Sequence, residues 1–205
     1  MKNFTEEMGI NGHLTIIKVA NDGSEEVLFD DSNVIVSGMG VGLTYLFTGS
    51  GSNSILDYQI DRFQIGVSGP PTGGATSSIF ELSGPISESD YGGDSNLFAE
   101  TRDQITGFGG GVPQTTSYAA ALIPQSKVTR INQTSVRYTI VLDEEACNNL
   151  QGAASEDLFI NEIGLLMKNP TANININPIL VAYRTFSDIR KTEDFSLIFR
   201  WTLNF

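Results

Sequence analysis

Apolar and polar residues alternate most cleanly over the last eleven positions of the chain. Phe195, Leu197, Phe199, Trp201, Leu203 and Phe205 fall on one face of an extended segment, and Ser196, Ile198, Arg200, Thr202 and Asn204 on the other. Six large apolar side chains on one face predict a strand laid on a core, each contributing about 1.5–3 kcal/mol when buried. The pattern carries Phe205 with it and predicts a packed end. Residues 13–19 (HLTIIKV) and 26–31 (EVLFDD) flank Asn21-Asp22-Gly23, a turn signal because Asp-Gly accepts positive φ, and predict a β-hairpin. Residues 62–67, 136–142, 159–167 and 179–186 read as further strands. Gly66 marks a bulge or a close backbone approach. Leu43, Leu46 and Phe47, spaced i, i+3 and i+4, predict one short helix near residues 39–48 that ends at Gly49. Gly38, Gly40 and Gly42 oppose it, each costing about 1 kcal/mol against alanine in a helix.

Between residues 69 and 125 the periodicity breaks down: Gly84-Pro85, Gly92-Gly93 and Gly109-Gly110-Gly111 interrupt every run. An excursion of that length inside a compact domain is ordinarily a functional loop or one ordered by a partner. The pattern therefore predicts an all-β chain, one antiparallel β-sandwich domain over residues 1–205, jelly-roll-like, with a single short helix. An N-terminal arm (residues 1–12) and the 69–125 excursion are appended to it. A hairpin meander closed into a barrel satisfies the same pattern.

Glycine is frequent, at 21 residues, and hydrophobic residues make up 40%, which favours short strands and turns over long helices. Cys147 is the sole cysteine, so neither an internal disulfide nor a cysteine cluster for zinc can form. A formal charge of −12 repels a phosphate backbone, and the one mildly basic stretch, 127–137, is spread along a strand; nucleic acid is not an expected partner. The opening MKNFTEEMGI has no apolar signal core, and no run approaches the ~18 apolar residues of a membrane span. The expectation is a soluble protein with no membrane partner.

Candidate chemistry is sparse, and the expectation is that the chain is not an enzyme. His13 is the single histidine and stands at the head of a hairpin strand, with no nucleophile elbow elsewhere. Cys147 follows Asp143-Glu144-Glu145, acids that raise a thiol pKa and damp its reactivity. Glu88 with Asp90, or Glu100 beside Arg102, could be written as a glycosidase pair, but carboxylates so close in sequence read as solvated loop charge. Residues 87–94 resemble a calcium loop only loosely, and no metal or cofactor is expected. The sequons at Asn3 and Asn132 have no meaning without a secretory route. More informative is Glu162, inside an apolar strand, with arginines recurring in strand-like settings. A carboxylate on a half-buried sheet needs a partner, which predicts a structural clamp of Glu162 with Arg184 or Arg200. Tyr91, Phe108 and Tyr118 in the excursion are candidate interface aromatics.

Three groups of segments resemble structural proteins of tailed bacteriophages. The first is Asn33-Val34-Ile35-Val36-Ser37-Gly38, then Leu43-Thr44-Tyr45-Leu46-Phe47, then Phe63-Gln64-Ile65-Gly66-Val67-Ser68-Gly69; the second is Phe98-Ala99-Glu100-Thr101-Arg102. The third, and most specific, is Ile160-Asn161-Glu162-Ile163-Gly164-Leu165, then Leu180-Val181-Ala182-Tyr183-Arg184-Thr185-Phe186, Lys191, and Phe199-Arg200-Trp201-Thr202-Leu203. The likeness spans roughly residues 30–205 and departs in the 69–124 region. It implies a virion component, assembled in the host cytoplasm and repeated by symmetry in a tail, baseplate, neck or fibre-attachment ring, with other copies of itself and other virion proteins as partners. A glycan- or receptor-binding β-sandwich on a fibre or tail tip is the alternative; a cell-wall hydrolase lacks a nameable catalytic pair.

Overall fold

The structure, a computed structural model, describes residues 9–52, 54–70, 79, 81–86, 102–106, 117–152, 154–171 and 178–205, with the backbone alone for 102–106 and 117–119. Among these, ten strands form one continuous sheet: β1 (Asn11–Ala20), β2 (Glu25–Ile35), β3 (Ile60–Gly66), β4 (Arg102–Thr106), β5 (Ser117–Leu122), β6 (Val128–Arg130), β7 (Ser135–Leu142), β8 (Ile160–Met167), β9 (Ile179–Ile189) and β10 (Phe195–Asn204). The order across the sheet is β4-β5-β3-β8-β9-β2-β1-β10-β7-β6, and every pairing is antiparallel. The sheet curls, so the inner faces of its two halves share one hydrophobic core in which Leu14, Ile16, Phe199 and Trp201 meet Phe63, Ile163, Leu165 and Val181.

The predicted hairpin is β1–β2. Gly23 sits at φ 83° and the turn closes through Gly23 N–H to Ala20 O at 2.8 Å. Strand β10 lies between β1 and β7, and Phe195, Leu197, Phe199, Trp201 and Leu203 are buried along it as the alternation predicts. Phe205 departs from that pattern. Ladder pairing stops at Asn204, opposite Asn11 and Ser135, and one residue further on the Phe205 side chain is 55% exposed.

The helix α1 (Ser37–Thr48) forms where expected but turns a different face to the sheet. Its buried residues are Gly38, Met39 and Gly42, whereas Phe47, at 81% exposure, stands in solvent beside the exposed Val41 and Leu46. The glycines that weaken the helix are what lets it approach. A methyl on Gly38 would overlap the Leu180 carbonyl oxygen of β9, and one on Gly42 the Met167 Cε of β8. The helix stops at Gly49, in the left-handed region at φ 63°, with cap bonds to Leu46 O and Tyr45 O.

Two boundaries differ from the sequence pattern. Strand β1 begins at Asn11, inside the expected arm, and residues 1–8 lie outside the described ones. The 69–125 excursion contains the β4–β5 hairpin, which extends the sheet beyond β3 through Arg62↔Leu122 and Phe63↔Ala121. Ala120 and Ala121 are both fully buried, so neither alternation nor bulk marks that strand in the sequence.

Gly38 and Gly40 give a test with opposite signs. Gly38→Ala forces the helix off Leu180 O and is expected to destabilise by about 1–3 kcal/mol. A methyl on Gly40 would have no atom within 4 Å, and Gly40→Ala is expected to stabilise by up to ~1 kcal/mol. Urea midpoints of the two variants decide the sign of each.

Candidate functional site

Among the described residues, an anchor under the segment after β3 and a groove beneath α1 bring together polar chemistry and accessible apolar surface. The anchor is built on β8, where the ladder sets Glu162 opposite Gly66 of β3 and Thr185 of β9. Glu162 is fully buried. Its carboxylate accepts the Ser83 N–H at 3.0 Å, the Gly84 N–H at 2.6 Å and the Tyr183 hydroxyl at 2.6 Å. Three donors offset the desolvation that an isolated buried carboxylate would suffer. Burial, then the bond to Glu162, pushes the Tyr183 phenol well above its ordinary pKa, keeping it a donor. Next to it, Asn161 accepts the Gly69 N–H at 2.8 Å and donates to Asp188 at 3.1 Å. Two adjacent side chains thus hold both ends of the stretch between Gly69 and Gly84. Gly66 is required here, since a methyl at its Cα would strike Glu162 Oε1 and lie 2.7 Å from Gly84 O.

This geometry corrects the predicted clamp. Glu162 is paired, but not to arginine. The β8–β9 register places Ile163 opposite Arg184 and Glu162 opposite Thr185, so alternation turns Arg184 to the other face of the sheet. There Arg184 meets Asp31 at 2.6 Å, with its guanidinium 5.0 Å from the Phe29 ring centroid. Arg200 stands exposed on the outer side of β10, between Thr15 and Thr139. The true partners are backbone amides and a tyrosine; the glycines at 66, 69 and 84 were their only trace in the sequence.

The groove has a volume of about 360 Å³ and opens between α1, the 3₁₀ turn Ile55–Tyr58 and the mouth of the curled sheet. Met39, Leu43, Leu46, Val128, Met167 and Phe205 form its apolar lining, while Tyr58, Asp61, Gln125 and Tyr138 supply polar groups. Asp61 is held by Arg62 at 3.0 Å and Lys168 at 3.5 Å. Burial pushes the Tyr138 phenol up to about 12. Phe47 of α1 and Ile55 and Leu56 of the 3₁₀ turn are exposed. No charged residue occurs between Asp31 and Asp57, so α1 is uncharged, and the charged side chain in the groove lining is Asp61.

The remaining sequence candidates are scattered. His13 Nε2 lies 2.9 Å from Asp30 on the exposed face of β1–β2; the Thr15 hydroxyl, then His13, hold the Asp30 carboxyl below its usual range. Cys147 is buried, and burial outweighs the nearby Asp143 in pushing its thiol up. Tyr91, Phe108, Glu88, Asp90 and Glu100 lie outside the described residues, and Tyr118 sits in β5 opposite Ile105. Among the described residues no three His, Cys, Asp or Glu side chains converge as a metal site.

Glu162→Ala leaves two amides and a phenol unsatisfied and is expected to cost about 3–5 kcal/mol, with amide exchange at Ser83 and Gly84 accelerating before that of β8 itself; equal protection in both would contradict the anchor. Tyr138 gives a pH test. It stays neutral in the fold to about pH 12, against about 10 when unfolded, so its contribution is complete below pH 10 and is lost as pH rises towards 12. Base unfolding followed by circular dichroism is expected to begin near pH 10, and Tyr138→Phe to move its midpoint upward.

Comparison of the chain with protein-family models, with curated proteins and with solved structures finds no match to any of them.

Proposed function

We propose that this chain is a structural component of a bacteriophage particle, in a tail, baseplate, neck or fibre-attachment ring, and that it acts through protein–protein contacts with copies of itself and with other virion proteins, without catalysis. The observation that carries the reading is the uncharged helix with its exposed apolar residues. Helix α1 holds no charged residue, and Phe47, Ile55 and Leu56 stand exposed beside an open apolar groove. Exposed apolar side chains on the two elements that wall an apolar groove, on a chain of charge −12, gain from being covered. The N-E-I-G-L and closing W-T segments supply the bacteriophage part of the reading by resemblance.

The finer architecture belongs to the same proposal: the curled sheet works as a jelly-roll-like sandwich. Support comes from the nested pairs β1–β10, β2–β9 and β3–β8 and from the core shared by the two halves. The β1–β2 and β8–β9 hairpins, which stay hydrogen-bonded in sequence order, are a departure from a strict jelly roll. The net charge supports partners that are proteins, not nucleic acid. Light scattering coupled to size exclusion is expected to give a discrete oligomer. A monomer that retains a specific oligosaccharide on a glycan array would put the receptor-binding module in its place.

A further inference from the structure

Lys191, in the turn between β9 and β10, is 2% exposed and makes no ion pair among the described residues. Its Nζ donates to Asn148 Oδ1 at 2.8 Å and to the Thr192 carbonyl at 2.8 Å, and lies 5.3 Å from the Phe195 ring centroid. Asn148 in turn donates from Nδ2 to the Glu144 carbonyl. The amide carbon is one C=O bond beyond Oδ1, so Nζ stands within about 4 Å of it. Both ends of this contact are fixed. The Asn149 N–H donates to the Lys191 carbonyl at 2.9 Å, and the Ser196 hydroxyl to the Glu144 carboxylate at 2.8 Å. Cys147 and Asn149, on either side of Asn148, are held at φ 57° and 47°, a left-handed conformation that a β-carbon disfavours. The fold thus presents the Asn148 amide to a buried amine.

An uncharged amine is a nucleophile, and burial favours that form because desolvation penalises the ammonium. At Lys191 burial pushes the pKa below its ordinary range, against the opposing pull of Asp143, Glu144 and Asp194. The geometry points to a covalent amide between Lys191 Nζ and Asn148 Cγ, formed within one copy of the chain, with Asp143 as the proton carrier. The Nζ lone pair adds to Cγ, and the Cγ–Nδ2 bond then breaks. Nδ2 leaves as ammonia, taking one of the amine protons by way of the Asp143 carboxylate. No oxidant and no cofactor enter the balance. Asp143 is half-buried, whereas Glu144 and Asp194 are exposed, and its charge acts on Lys191 more than theirs. The product replaces a buried cation with a neutral amide and so removes the desolvation that the ammonium suffers. It ties the turn after β7 to the β9–β10 turn, 43 residues apart in the chain. The bond is independent of the assembly reading, because both residues belong to one copy.

Intact-mass spectrometry of the full chain tests the bond. Folded protein held for several days is expected to be lighter than its sequence mass by one ammonia, and a tryptic digest to contain a branched peptide joining Asn148 to Lys191. Lys191→Met and Asn148→Ala are each expected to keep the full mass, with circular dichroism to show that they fold. Asp143→Asn leaves both reacting groups in place and is expected to slow the loss of ammonia roughly 10²–10⁴-fold. Closing a loop of 43 residues is expected to raise the melting midpoint by about 10 °C over Asn148→Ala. The full sequence mass in the folded wild-type chain overturns the bond. A loss of ammonia that survives in Asn148→Ala overturns it too, since the loss then belongs to another asparagine, such as Asn11 before Gly12. A rate unchanged in Asp143→Asn overturns the part given to that carboxylate.

Discussion

The fold depends on one strand belonging to two halves of the sheet. Residues 25–33 are covered by β1, and only Val34 and Ile35 pair with β9, followed by a single further bond from Val36 N–H to Val181 O at 3.2 Å. Without those positions the two halves, β6-β7-β10-β1-β2 and β9-β8-β3-β5-β4, would be separate sheets facing each other across one core. The join is short because the strands diverge as the sheet curls, and side chains span the gap where the ladder ends. Arg184 reaches Asp31, stacks over Phe29, and Phe29 in turn lies 6.1 Å from the Phe186 ring and through it reaches Phe199. An aromatic and ionic bridge on the inner face therefore continues what backbone pairing begins.

The same divergence leaves β2 with a backbone edge towards β9 that is unpaired among the described residues, a standing risk for pairing with another strand. The sequence there reads EEVLFDD, four carboxylates in seven residues. Asp31 accepts the Ser32 N–H at 2.7 Å while holding Arg184, and so caps an edge amide with the group that closes the seam. Those two contacts, the amide first, hold its carboxyl below the usual range. Acid at this edge is thus structural and protective together, since it satisfies the backbone while repelling a second copy of the same strand laid beside it.

Much of this was legible in the sequence because strand burial writes itself as alternation. Strand β10, the β1–β2 hairpin, β3, β7, β8 and β9 could be placed from periodicity, and the helix from three apolar residues. What was illegible has definite causes. Strand β5 is alanine-rich and its consecutive Ala120 and Ala121 are both buried, so no alternation marks it there. The helix hides its contact face in Gly38 and Gly42, residues that periodicity counts as breakers, and exposes the Phe47 that periodicity counts as core. Glu162 could be singled out as needing a partner, yet its partners are the amides of Ser83 and Gly84, and an amide has no residue type to read. Arginine was the wrong expectation because two residues on neighbouring strands share a face only when the register agrees, and here it is off by one.

Glycine is the common device behind the anchor and the groove. At Gly38 and Gly42 its missing side chain brings α1 onto β8 and β9, with Met39 buried beside them and Leu46 and Phe47 left exposed. At Gly66, Gly69 and Gly84 it brings a loop onto a buried carboxylate and lets two amides reach it. Each glycine surrenders conformational entropy that a larger residue would not, and in each case the compensation is a contact unavailable to any side chain: helix against strand carbonyl, amide against carboxylate. Phe47 and Leu46 are held on a helix pinned by close backbone packing, and the loop between Gly69 and Gly84 is tied at both ends to the centre of the sheet. A surface held in this way has less order left to impose on any contact it makes, which is the physical gain of preorganisation.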